Sequence, residues 1–126
     1  MAQWYVKELS KLTQVSVQTL HHYDRIGLLK PSLRLANGYR LYSEKDLLKL
    51  KRIIALKYFG FELSQIKQLF SPEADVIDHF SAQSQILEQK GKTFLEASKM
   101  LNTIISDCRR EQTIPWETII KLLALM

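Results

Sequence analysis

Ser16, Gln18, Thr19, His21, His22 and Tyr23 set hydroxyl, amide, imidazole and phenol groups on one short segment, and Arg34, Tyr39 and Arg40 follow shortly after it. Such groups exchange hydrogen bonds without breaking covalent ones. Amides, hydroxyls and imidazoles meet base edges, and Arg and Tyr donors hold phosphates. The set suits a DNA-reading head. The sequence offers no Gly-rich phosphate loop, no metal-ligand cluster and no nucleophile with an evident base and orienter, so neither enzyme chemistry nor a metal or cofactor is expected. His21 and His22 are adjacent, point to different sides of a helix and form no chelate.

These groups need elements to position them. Val6, Leu9 and Leu12 recur at helical spacing, Thr13-Gln14-Val15-Ser16 interrupts them, and Ser16 is an N-cap for a second helix whose Val17 and Leu20 face inward with Ile26. Gly27 ends that helix as a C-prime glycine would. Two short helices across a tight turn make a helix-turn-helix. Pro31 stops any continuation, and alternation from Leu33 to Tyr42 around Asn37-Gly38 predicts a two-stranded wing in which those two residues form the turn rather than a contact. Ser43 caps a longer helix with Leu47, Leu50 and Ile54 on its inner face; Gly60-Phe61 breaks it, and Leu63, Ile66 and Leu69 mark a fourth helix that Pro72 closes.

Charge is divided along the chain. Residues 1–70 hold 12 Lys and Arg against 5 Asp and Glu, a net of about +7, and residues 71–126 hold 6 against 8, about −2. A basic front half attracts phosphate backbones, although charge alone also describes a solvated surface. At 126 residues and 46% hydrophobic content the chain can bury a core. It has no apolar run of about 18 residues that would span a bilayer and no signal-peptide layout at Trp4, Lys7 and Glu8, and its single cysteine, Cys108, suits a reducing cytoplasm.

Beyond Pro72 a heptad ladder begins. Ile77, Phe80, Ser84, Leu87, Gly91, Phe94, Ser98, Leu101, Ile105 and Cys108 follow alternating steps of three and four, one seam of a helix of about 35 residues. A seam of this kind needs a partner, either a second copy of the chain or the helix's own domain. Small residues at Ser84, Gly91 and Ser98 favour close approach of a second helix. Ile114-Pro115-Trp116 then opens a last apolar helix, Ile119 to Met126, as a cover for a dimer's core. The fold class is thus mainly α: a winged helix-turn-helix domain at 1–71, a dimerisation helix at 72–111 and a short C-terminal helix at 112–126.

In order and spacing, these motifs resemble the MerR family of bacterial transcription regulators. The resemblance runs nearly continuously from Trp4 to Phe70 through Ser16-Val17, Thr19-Leu20, Tyr23-Asp24, Ile26-Gly27-Leu28-Leu29, Pro31-Ser32, Arg34, Asn37 to Tyr42 and Leu56 to Phe61. Thr19-Leu20-His21-His22-Tyr23-Asp24 is similar to the branch with multidrug- and thiopeptide-responsive members. The resemblance implies a cytoplasmic homodimer held by an antiparallel coiled coil, with Ile77, Phe80, Leu87, Phe94, Leu101, Ile105 and Cys108 in the interface. It further implies one recognition helix per half-site of a pseudo-palindromic promoter, and action on RNA polymerase indirectly, by bending and untwisting double-stranded DNA. Ser16, Gln18, Thr19, His21 and His22 then lie at the DNA, and Arg34, Tyr39 and Arg40 grip phosphates from the wing. Tyr23 is a phosphate donor or a buried aromatic, and Lys57 a phosphate contact or a solvated lysine.

Two departures stand out. Gln14 occupies a usual Gly position, so the turn is tighter or left-handed there, and Glu62 replaces the usual Ser cap of the fourth helix, adding negative charge near a second basic surface. Drug-binding members carry a sizeable C-terminal domain, whereas 15 residues follow Glu111 here, and the small-molecule effector is left unidentified. Metal-sensing members pair a residue at the start of the dimer helix with two cysteines. Cys108 matches the first of those and would approach His79 of the partner subunit, but no second cysteine follows. A metal- or thiol-responsive regulator using Cys108, and a coiled-coil interaction module without DNA binding, are the alternatives.

Overall fold

The first helix, α1 (Val6–Thr13), follows a three-residue strand, β1 (Gln3–Tyr5), and precedes α2 (Val17–Arg25). A hairpin of β2 (Leu33–Arg34) and β3 (Arg40–Ser43) leads into α3 (Glu44–Tyr58) and α4 (Leu63–Leu69); a long α5 (Val76–Glu111) and α6 (Trp116–Ala124) complete the chain. This computed structural model describes residues 2–124, with side chains described to residue 121. Residues up to His79 form one compact unit and those from Phe80 another.

Local chemistry sets the helix ends of the first unit. Ser16 Oγ accepts from the Thr19 amide at 3.0 Å, capping α2. Gly27, at φ +74°, closes α2 with the left-handed turn a Cβ would strain, and its neighbour Ile26 gives its carbonyl to Lys67 Nζ of α4 at 2.7 Å. At the start of α3, Ser43 and Asp46 satisfy each other's amides at 3.3 and 2.8 Å, and Asp46 also accepts from the Ser32 amide and hydroxyl at 2.9 and 2.7 Å. That carboxylate ties the start of the wing to the start of α3.

The wing differs from its expectation in two respects. The sheet has three strands in the order β1-β3-β2, because Gln3, Trp4 and Tyr5 pair antiparallel with Ser43, Tyr42 and Leu41. A three-residue segment carries too little alternation to announce itself as a strand. The turn is also longer than two residues: Gly38 N–H donates to Leu35 O at 2.9 Å, Leu35 N–H to Tyr39 O at 2.8 Å, and Gly38 stands at φ +86°. This is the three-residue loop with a left-handed glycine, and Asn37 Oδ1 secures it by accepting from Tyr39 N–H at 3.1 Å.

Leu9, Leu20, Tyr23, Leu28, Leu29, Tyr42, Leu50, Ile53, Phe61, Ile66 and Leu69 form the core. One expected inward residue lies elsewhere. Ile54 is 39% exposed and Ile53 fully buried, because the buried stripe of α3 runs Asp46, Leu50, Ile53 and leaves Ile54 on its shoulder. Leu12 is 56% exposed, and α1 buries Leu9 alone.

Gln14 takes the left-handed form, φ 64°, its side chain donating to Lys11 O at 3.2 Å. A Cβ in this region costs about 1 kcal/mol. Gln14→Gly relieves that strain but frees the unfolded chain and removes the side-chain bond. A melting temperature raised by no more than a few degrees, roughly what 0.5 kcal/mol gives, is therefore expected in a calorimetric scan, and a fall would show the bond to Lys11 to be worth more than the strain.

Beginning at Val76, at the end of the first unit, α5 runs 36 residues, about 54 Å at 1.5 Å per residue. Among the described residues a Cβ added at Gly91 meets nothing within 4 Å, so none of them requires glycine there. For the last helix, α6 starts at Trp116 rather than at Ile119, and positions 125 and 126 lie outside the described residues.

Candidate nucleic-acid interface

With Leu20 and Tyr23 turned into the core, the opposite stripe of α2 is left to solvent. It carries Gln18, His22 and Arg25, all exposed and spaced four and three residues apart. This stripe presents an amide, an imidazole and a guanidinium in line, groups that pair with base edges or phosphates. Arg25 was not among the sequence candidates, although its position seven residues after Gln18 places it on the same face.

Ser16 and Thr19 serve the helix itself. Beyond the cap, Ser16 Oγ donates to Thr19 Oγ1 at 2.8 Å, so both hydroxyls are engaged and Thr19 is half-buried. Tyr23 is 7% exposed and its ring is in the core, the second of the two placements open to it; burial raises its phenol pKa. Any contact it makes with a phosphate is confined to what its small exposed edge can reach.

Asp24 organises the rest. Its carboxylate is 4% exposed, and one oxygen, Oδ2, accepts from Arg40 Nε at 2.8 Å and from an Arg34 Nη2 hydrogen bond. Lys30 Nζ reaches the other oxygen at 3.7 Å and the Asp24 carbonyl at 3.3 Å. Burial alone would push this carboxyl up. The hydrogen bonds and charges of Arg40 and Arg34 outweigh it, and the pKa is lowered. Arg40 also bonds His21 Nε2 through Nη1 at 3.2 Å, so His21 acts here by bracing a wing arginine. Thus α2 and the wing are joined by ion pairs, and the arginines expected to meet phosphates are pre-positioned by a carboxylate whose role no local pattern marks. Beneath them Tyr42 is fully buried, the sole buried side-chain oxygen or nitrogen among the described residues without a hydrogen-bond partner, and burial followed by the nearby Asp24 charge raises its pKa.

At the wing tip Tyr39 is 61% exposed and packs edge-on against Tyr5, ring centroids 6.1 Å apart. Lys57 is exposed on the last turn of α3, beside the solvent-facing Tyr58. Of the sequence candidates, His21, Arg34 and Arg40 converge around Asp24, and Gln18 and His22 share the outer stripe. Ser16 and Thr19 form the cap, Tyr39 stands at the tip, and Lys57 belongs to a different element.

Along α5, Ile77, Phe80, Leu87, Phe94, Leu101 and Ile105 are all exposed in the single chain, Phe94 to 72%. Cys108 is a free, half-buried thiol. Among the described residues no group of three His, Cys, Asp or Glu is arranged to hold a metal ion, and no helix is long and apolar enough to cross a membrane.

Comparison with known proteins places this geometry in context. The pattern of the family described as MerR HTH family regulatory protein matches residues 5–72. The chain is 40% identical over 102 residues to the HTH-type transcriptional activator mta of Bacillus subtilis, covering 80% of this chain and 38% of that one. Among solved structures it is similar to the N-terminal part of the Bacillus subtilis multidrug transporter activator, MtaN, with 37% identity, a TM-score of 0.71, and coverage of 81% of this chain and 97% of that one. It is also similar to EcmrR in an EcmrR–DNA complex, at 25% identity, a TM-score of 0.77, and 87% and 41% coverage. The chain spans less than half the length of the curated relatives it matches.

Proposed function

The chain belongs to the MerR HTH family of regulatory proteins, and from that premise we propose that it is a cytoplasmic, sequence-specific regulator of transcription. It binds a pseudo-palindromic promoter as a homodimer and acts on RNA polymerase through the bending and untwisting of that DNA, under an effector still to be identified. The observation that carries this is the reading head itself: an exposed Gln18, His22, Arg25 stripe on α2, joined through Asp24 to a wing bearing Arg34, Tyr39 and Arg40, in the half of the chain with net charge about +7. A rigid connection between recognition helix and wing lets phosphate grips transmit strain to the duplex; smooth bends of 40–90° cost about 1–6 kcal/mol. The uncovered seam of α5 supports the dimer, which would present two such heads at a fixed spacing.

Selection of duplexes from a random pool by the purified chain tests this. An inverted repeat should emerge, bound with an affinity that falls steeply with salt; no binding at low salt would refute DNA recognition. Gln18→Ala should relax preference at one base position per half-site, about 5- to 150-fold if the amide reads a base, whereas Tyr39→Ala should weaken every sequence alike. Equal losses in both variants would overturn the division between base reading and phosphate holding.

A further inference from the structure

A cleft of about 540 Å³ opens beside the reading head, lined by Tyr5, Val6, Lys7, Glu8, His21, Gly38, Tyr39 and Arg40. Its walls come from the end of β1, the first turn of α1, the flank of α2 and the wing tip. Two of these elements carry the proposed DNA contacts, and the other two lie outside that set. The Tyr5 and Tyr39 rings, 44% and 61% exposed, meet edge-to-face at 85° and give one side an aromatic wall, extended by Val6. Lys7 is exposed and makes no ion pair among the described residues, and Arg40 directs Nε and Nη1 at Asp24 and His21, leaving Nη2 over. Glu8 is turned back, its carboxylate accepting from the Tyr5 amide at 3.0 Å.

We infer that this cleft is a further DNA-backbone site, taking one phosphodiester and its deoxyribose on the outer flank of each half-site, with Lys7 and Tyr5 as contacts beyond the helix and wing. The inference rests on the DNA-binding function proposed above and extends its footprint. A nucleic-acid backbone alternates an anion with an apolar sugar face, and the cleft offers the complement: two cations and phenol hydroxyls for the phosphate, aromatic and aliphatic walls for the sugar. It is continuous with His21 and Arg40, so a strand held by the wing passes its mouth. Tyr5 and Lys7 belong to β1 and α1 rather than to the Gln18, His22, Arg25 stripe of α2, so the site adds affinity without adding preference.

Fluorescence anisotropy of the full chain on a 30-base-pair duplex selected by the wild type, and on an unselected duplex of equal length, tests this across a salt series. Lys7→Ala should weaken both duplexes by the same factor and flatten the slope of log affinity against log salt by about 0.9 for each contact removed. Tyr5→Phe, which keeps the ring pair, should weaken both roughly two- to tenfold, as loss of one hydrogen bond does. Phosphate-ethylation interference at one position outside each half-site should disappear in Lys7→Ala, which a merely structural role would not produce. Unchanged affinity, salt slope and interference in both variants, with the wild type binding normally, would overturn the cleft site and leave the DNA-binding function standing. Failure of the wild type to bind either duplex would remove both.

Discussion

Phe94→Asp in α5 is expected to convert the protein to a monomer and to lower its affinity for a two-half-site duplex by about 10² to 10⁴, the gain that linking two binding modules confers. Phe94 is 72% exposed in the single chain, so the substitution costs the chain little packing of its own. In a dimer seam, by contrast, each copy would bring a carboxylate into an apolar contact, at a cost of several kcal/mol per ion. Helicity by circular dichroism should fall as well, since a lone amphipathic helix is marginal in water and α5 draws its stability from what covers the seam. Sedimentation separates this from the alternative of a helix folded back on its own domain. In that case the wild type would already be monomeric and the substitution would lower the melting temperature of the head. A dimeric Phe94→Asp protein would show that the interface lies elsewhere.

The long helix α5 could be read from the sequence because its signal is periodic over many turns. The caps of α2 and α3 could be read for a related reason: Ser16 with Thr19, and Ser43 with Asp46, satisfy each other within three residues, so donor and acceptor fall in one window. Gly27 and Gly38 likewise mark local turns. Beyond that range the pattern loses force. Nothing in Gln3-Trp4-Tyr5 announces a strand, since its stability comes from pairing with Tyr42 some forty positions away. At Ile53 and Ile54 two apolar neighbours stand 100° apart on a helix, and periodicity alone does not decide which one enters the core. The site divides the same way. Residue types and the element bearing each were readable, whereas the partners of Arg34 and Arg40 were not, because Asp24 lies ten and sixteen positions before them. Residue type alone points both arginines at phosphates, and the structure gives each a protein partner as well.

That partner is the basis of the second large effect. Asp24→Asn keeps the shape and one acceptor oxygen but removes the charge that holds Arg40, Arg34 and Lys30. Breaking a buried pair by removing one member costs about 3–5 kcal/mol when the other is trapped; Arg34 and Arg40 side chains are 50% and 26% exposed, so water recovers part of the loss. A destabilisation of about 1–2 kcal/mol is expected, lowering the melting temperature of a unit this size by roughly 5–15 °C. The acid limb gives an independent check. The folded pKa of Asp24 lies below its ordinary value of 3.8, so its contribution is complete above that value and is lost as pH falls through the folded pKa. Wild-type stability should therefore fall more steeply below about pH 4 than that of the variant, whose Asn does not titrate. On DNA the variant gains one positive charge per head, which favours every duplex, while its wing arginines lose their fixed aim. Binding to unselected DNA should hold or rise, and the ratio of selected to unselected affinity should drop by about tenfold, the effect of roughly 1.4 kcal/mol. A variant with wild-type melting, an unchanged acid limb and an unchanged ratio would show that the wing is held by its sheet pairing and that the ion pairs merely decorate it.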